Sequence, residues 1–323
     1  MGDALLKDIR TLLSFHFDFS RPKKGDVAIF EELQQRFRED HNNDRLNSYL
    51  MAGRKIVDAS EQAMSIDNLV DALEDEEASF MAKMAIVRAI HQAESASLCA
   101  KRLHGRGEEL DLSVFSDHWY SSLSKLLFEG IRRSTVDDIF NNLQIINFNY
   151  DRCLEEYLPA SIAKYFGMRK DEAFELLGDL PIHRPYGIAG DLGEVGFGGK
   201  RRRGSSLSAV AEAIHTFTEQ VTDQEALQQI HGAILTADRI VFLGFAFHRQ
   251  NLKLLETQTQ DHVAVLATAY GISSSDQSVI EKEVAETFQI SDYGKIPDIS
   301  LMNMKCADFF RENWRTLTAG PNS

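Results

Sequence analysis

The feature that most constrains this chain is a change of pattern past Leu143. Short runs rich in β-branched and aromatic residues, at 145–148 (IINF), 238–245 (DRIVFLGF), 262–268 (HVAVLAT) and 299–304, are separated by stretches of helical period at 152–166, 223–235 and 275–288. Strands that alternate with helices need crossover connections. They therefore point to an α/β fold, a Rossmann-like parallel sheet flanked by helices. Upstream, residues 1–14 read as a helix with Leu5, Leu6, Ile9, Leu12 and Leu13 on one side. From 27 to 131 the spacing is mainly helical, through Ile29, Phe30, Leu33 and Phe37, then Ile66, Leu69, Val70 and Leu73, then Met81, Met84, Val87 and Ile90, then Trp119, Leu123, Leu126 and Leu127. The expected organisation is one domain over 1–323, with a helical layer at 27–131 inserted on a Rossmann-like core at 140–310.

A chain of 323 residues can bury a core without metal or disulfide staples. Its formal charge of -14 repels phosphate, which argues against a general nucleic-acid or anionic-membrane binder and for a small ligand or protein partner. Cys99, Cys153 and Cys306 lie far apart and form no zinc-knuckle spacing, which fits a reducing, cytoplasmic setting. No run of about 18 uncharged apolar residues is present, and the first residues lack the apolar core of a signal peptide.

In an open parallel sheet, ligands sit beyond the carboxyl ends of the strands. The candidates are therefore Asn149, Tyr150 and Asp151 after the first run and His183 after Ile182. Gly244, Phe245, His248 and Asn251 follow the next run, and Thr268, Ala269, Tyr270 and Gly271 the one after. Each has a plain reading. Asn149 and Asp151 suit a turn and helix cap, His183 a packed or solvated histidine, and Gly244 a tight strand-to-helix turn. His91 and Glu94, one turn apart, make a structural pair rather than a metal site, since no third ligand accompanies them. The Gly-rich segment 187–206 has no periodicity and reads as a mobile loop that could act as a lid, and its Lys200-Arg201-Arg202-Arg203 run as solvated surface.

Asn149-Tyr150-Asp151 after an apolar run, His183 near Tyr186-Gly187, and Leu243-Gly244-Phe245-Ala246-Phe247 with Asn251 together resemble the sirtuin-like (silent information regulator-like) family of bacterial NAD-hydrolysing proteins, over roughly residues 140–310. The resemblance implies an NAD glycohydrolase that uses NAD as substrate, needs no metal, and serves antiphage defence as a homo-oligomer or beside a defence partner. It assigns Asn149 to ordering the nicotinamide ribose and a water, and His183 to the base. Asp151 and Tyr150 belong to the binding loop, Gly244 and Phe245 to the cofactor-facing turn, and Asn251 to holding that turn. A non-catalytic nucleotide-sensing or assembly module with the same fold is the alternative. Two departures stand out. No apolar strand and Gly-Ala-Gly-x-Ser loop precede the first helix, so a truncated or misassigned start is expected. His183-Arg184-Pro185-Tyr186-Gly187 also carries one residue more than the family's His-x-Tyr-Gly. The cysteines for the zinc module of protein-deacetylating sirtuins are absent.

Overall fold

The computed structural model describes residues 2–18, 21–38, 43–104, 109–201, 206–216, 219, 224–260, 263–290 and 298–319. Asp223, His262, Arg202 and Arg203, which entered the sequence reading, lie outside them. In chain order the elements are helix α1 (Gly2–Leu13), strands β1 (His16–Asp18) and β2 (Arg21–Lys24), and helices α2 (Val27–Arg36), α3 (Asp44–Ala59), α4 (Ile66–Leu73), α5 (Glu76–Ala96) and α6 (Trp119–Phe128). Next come β3 (Ile145–Ile146), α7 (Cys153–Phe166), α8 (Lys170–Leu177), β4 (Ile182–His183), β5 (Val195–Gly196), β6 (Lys200–Arg201), α9 (Leu207–Ala213) and α10 (Gln224–Leu235). The chain closes with β7 (Arg239–Phe242), α11 (Arg249–Leu254), β8 (Thr257–Thr259), β9 (Ala264–Thr268), α12 (Ser274–Thr287), β10 (Phe288–Ile290), β11 (Asp298–Met302), α13 (Cys306–Glu312) and α14 (Trp314–Thr318).

These elements gather into two compact units whose borders do not follow the helical-layer and core division read from the sequence. The first holds residues 1–101, 148–156 and 186–221. Its centre is α5, which is apolar around most of its circumference, with Ala78, Met81, Met84, Ala85, Ile86 and Val87 all buried. A helix with that distribution must be covered on several sides. Helices α1, α2, α3, α4 and α9 pack on it, and α1 contributes Leu6, Ile9, Leu12 and Leu13, the apolar face expected of it. Local signals set the starts: Asp26, Ser65 and Asp75 each cap a helix by accepting a backbone N–H, from Ile29, Asn68 and Ala78. Asp26 also takes a bidentate ion pair from Arg88 at 3.0 and 2.9 Å.

The second unit holds residues 102–147, 157–185 and 222–323. Its sheet is a three-stranded parallel ladder in the order β11-β9-β7. The middle strand β9 is buried over Val265–Thr268, as befits a strand covered on both faces. Within 145–148, Ile145–Ile146 form β3, which pairs in parallel with β4. Strands β8 and β10, inside the crossovers on either side of β9, form a further parallel pair. Among the described residues, then, the parallel strands form small separate ladders, and the established class is a mixed α/β fold. Helix α6 packs against α13, with the Trp119 and Phe310 rings stacked at 6.3 Å. No described helix is long and apolar enough to cross a membrane.

Candidate functional site

The stretch after β3 is built from backbone bonds that tie it to a segment far along the chain. In the second unit, Asn147 N–H donates to the carbonyl of His183 at 2.8 Å, extending the β3–β4 pair by one rung. In the first, Ala189 N–H donates to the carbonyl of Tyr150 at 2.9 Å. Each bond stays within its own unit, Asn147 with His183 in the second and Tyr150 with Ala189 in the first. Asp151 accepts a hydrogen bond from Cys153 N–H at 3.1 Å and so caps the start of α7. Tyr150 donates its hydroxyl to the carbonyl of His215 at 2.7 Å. Burial, and then the charge of Asp67, push the hydroxyls of Tyr150 and Tyr186 well above the usual phenol range, so both remain donors.

Arg152, the next residue, is fully buried and is paired with the equally buried Glu94 of α5. Arg152 Nε donates to Glu94 Oε1 at 2.9 Å and Nη2 to Oε2 at 2.5 Å. Nη1 donates to the carbonyls of Gly190 at 3.1 Å and Val195 at 2.5 Å, and Nη2 also to that of Gly196 at 3.4 Å. A guanidinium has five N–H donors, and each has an acceptor here. Glu94 is equally committed: Oε1 also takes Arg152 backbone N–H, and Oε2 takes Gly198 N–H, both at 2.9 Å. A buried ion pair survives only when its remaining polar valences are filled in this way.

The same cluster corrects the mobile-loop reading of the Gly-rich segment. Residues 189–201 are held on α5 by the carbonyl contacts to Arg152, by His91 Nε2 on the carbonyl of Ala189 at 2.8 Å, and by Ser95 Oγ on that of Gly198 at 3.1 Å. They include the antiparallel β5–β6 pair. Gly199 has φ +72, and a Cβ there would stand 2.6 Å from the His91 ring, so glycine is required on both counts. His91 and Glu94 thus serve this packing separately, His91 against the Ala189 carbonyl and Glu94 against Arg152 and Gly198. No group of three or more metal-binding side chains occurs among the described residues.

His183 sits at the end of β4, with Nε2 3.2 Å from Gln144 Oε1. Partial burial lowers its pKa from the ordinary imidazole value of 6.5, so the ring is neutral at pH 7. A proton on Nε2 facing the Gln144 oxygen leaves Nδ1 as the acceptor nitrogen of the neutral ring.

The second unit supplies the other candidates. Gly244 follows β7 with φ +60 and donates its N–H to Thr268 Oγ1 at 2.9 Å, while that hydroxyl donates to the Phe242 carbonyl at 3.3 Å. Thr268 thereby locks the carboxyl ends of two adjacent strands together. Next along, Phe247 adopts φ +53, a left-handed conformation that costs a non-glycine residue about 1–3 kcal/mol. It is buried, with its ring 5.3 Å from Phe245 and 5.5 Å from Phe242. Asn251 lies on α11. Beyond β9, Gly271 N–H donates to Asn303 Oδ1 at 3.0 Å, and Lys305 Nζ stands 5.1 Å above the exposed Tyr270 ring. Open surface hollows lie along α8, one lined by Lys170, Asp171, Phe174 and Glu175 and another that includes Arg133, Asp137 and Glu172. They share no residue with the candidate positions.

The candidate residues are divided between the units, Asn149, Tyr150 and Asp151 in the first and His183, Gly244, Phe245 and Asn251 in the second. Sequence reasoning passed over Arg152 and Asn303. An arginine between a polar turn and an apolar helix was the available signal for the first; nothing local marks the second. Fold and geometry define the class as a mixed α/β protein with small parallel ladders and polar, glycine-bearing turns at their carboxyl ends. No family model, curated protein or solved structure matches the chain.

Proposed function

We propose that this protein binds NAD and hydrolyses its nicotinamide–ribose bond, on a Rossmann-like core. The observation that carries the reading is the rung between Asn147 and His183, because it sets a neutral histidine beside the chain two residues before Asn149. In the reaction, water attacks the anomeric carbon, nicotinamide leaves, and the water's proton passes to a base. His183 is suited to be that base, worth typically about 10²–10⁴-fold in rate. Asn149, neutral and able both to donate and to accept, is suited to orient ribose and water while positive charge builds on the sugar. Gly244 and Phe245 belong to the turn assigned to the nucleotide, where glycine lets the backbone come close, and Asn251 on α11 is assigned to holding that turn. Antiphage defence, with a homo-oligomer or a defence partner, rests on the family resemblance alone.

One observation favours the alternative of a nucleotide-sensing or assembly module. The polar atoms of Tyr150 and Asp151 are engaged in holding the junction, by the His215 carbonyl and the Cys153 amide. Comparing nicotinamide release by the wild type with that by Asn149→Ala and His183→Ala decides between them. Loss of about 10²-fold or more in each variant is expected. A variant that keeps full activity takes its residue out of the mechanism, and binding without turnover in the wild type selects the sensing module.

A further inference from the structure

The cysteines, dispersed in the sequence, are not all dispersed in the fold. Cys99 lies in the short 3₁₀ turn Leu98–Ala100 that follows α5, and Cys153 is the first residue of α7. Cys99 Sγ donates to the Cys153 carbonyl oxygen at 3.5 Å, which brings the end of α5 against the first residue of α7. Both are reduced, Cys99 buried and Cys153 half-buried. Glu94, five residues before Cys99, and Arg152, immediately before Cys153, form the fully buried ion pair, so the backbones that carry the thiols are fastened to each other independently of any sulfur contact.

We propose that Cys99 and Cys153 are a modification site, a thiol pair that a small disulfide such as oxidised glutathione converts into an intramolecular disulfide linking the end of α5 to the start of α7. Cys153, the more accessible, attacks one sulfur of glutathione disulfide as its thiolate and releases one glutathione. Cys99 then loses its proton, attacks the Cys153 sulfur and releases the second glutathione. Two protein thiols are oxidised by two electrons in all, and one glutathione disulfide is reduced to two thiols. The bond would lie beside the Arg152–Glu94 pair and two residues from Asp151, so it would tie down the junction that the Asn-Tyr-Asp stretch belongs to. The hydrogen bond with Cys99, burial and the Asp151 charge all push the Cys153 thiol up. The thiolate is therefore scarce near neutrality, and the reaction quickens with pH by about tenfold per unit.

The test is to incubate the native full-length protein with oxidised glutathione at pH 8, block remaining thiols with iodoacetamide, and digest with trypsin without reductant. The expected product is a cross-link between peptide 89–101, which carries Cys99, and peptide 153–164, which carries Cys153. Peptide 306–311, with Cys306, should be absent from it. Dithiothreitol should release both peptides, Cys306→Ser should leave the cross-link intact, and Cys153→Ser should abolish it. Recovery of Cys99 and Cys153 only as alkylated thiols or as separate glutathione adducts would overturn the proposal.

Discussion

Arg152 shows how one residue can hold several segments at once. Its charge is neutralised by Glu94, and its remaining donors meet carbonyls of the Gly-rich segment. Removing either partner leaves an uncompensated buried charge, a cost of about 3–5 kcal/mol. Chemical denaturation should show a loss of that size for Arg152→Met and for Glu94→Leu, with the double variant recovering part of it, because an apolar pair can replace an ion pair that neither charge can replace alone. Additive losses would mean that the two charges are not coupled. His91 adds a pH dependence. Burial first, then the Arg152 and Arg88 charges, lower its pKa against the raising effects of the Ala189 carbonyl and of Glu94. The folded protein thus prefers neutral imidazole. Its contribution is intact above the ordinary value of 6.5 and shrinks as pH falls below it, until the folded-state pKa is reached. Denaturant midpoints from pH 8 to 5 should decline less in His91→Gln, which keeps a donor for Ala189, than in the wild type; equal slopes would assign the pH dependence to other groups.

At the scale of elements, the sequence made the helices and the apolar strands legible because each repeats one local rule over many residues. Helices α1, α5 and α7 and strands β7 and β9 lie where periodicity puts them, and β11 starts one residue before the expected run and ends two residues short of it. Strands β8 and β10 were not legible. Each has three residues, and β8 (TQT) is polar enough to pass for a turn. The held glycine segment was not legible either, because its anchors come from Arg152 and from α5, about a hundred positions away for Ser95 and Gly198, a separation of 103. The Asn-Tyr-Asp stretch was legible as a junction, and the capping role of Asp151 with it, but the partners of Tyr150 were not. Within the second unit, Thr268 is the side chain that joins two strand ends. Thr268→Val keeps the shape and removes both hydrogen bonds, leaving Gly244 N–H without its acceptor, at about 1–3 kcal/mol. Faster hydrogen exchange at the Gly244 amide, with α5 amides in the other unit unchanged, is the expected signature. Unaltered Gly244 exchange would show that the turn holds itself.

For the whole molecule, the charge of -14 and the carboxyl ends of parallel strands point in one direction. A small ligand held at strand ends suits this chain better than a polyanion spread over its surface. The direct measurement is to titrate the wild-type protein with NAD by calorimetry and to quantify nicotinamide in the same samples over time. Saturable binding with steady nicotinamide release, lost in His183→Ala while binding persists, is the predicted result. Neither heat of binding nor nicotinamide above the protein-free control would contradict the proposed function.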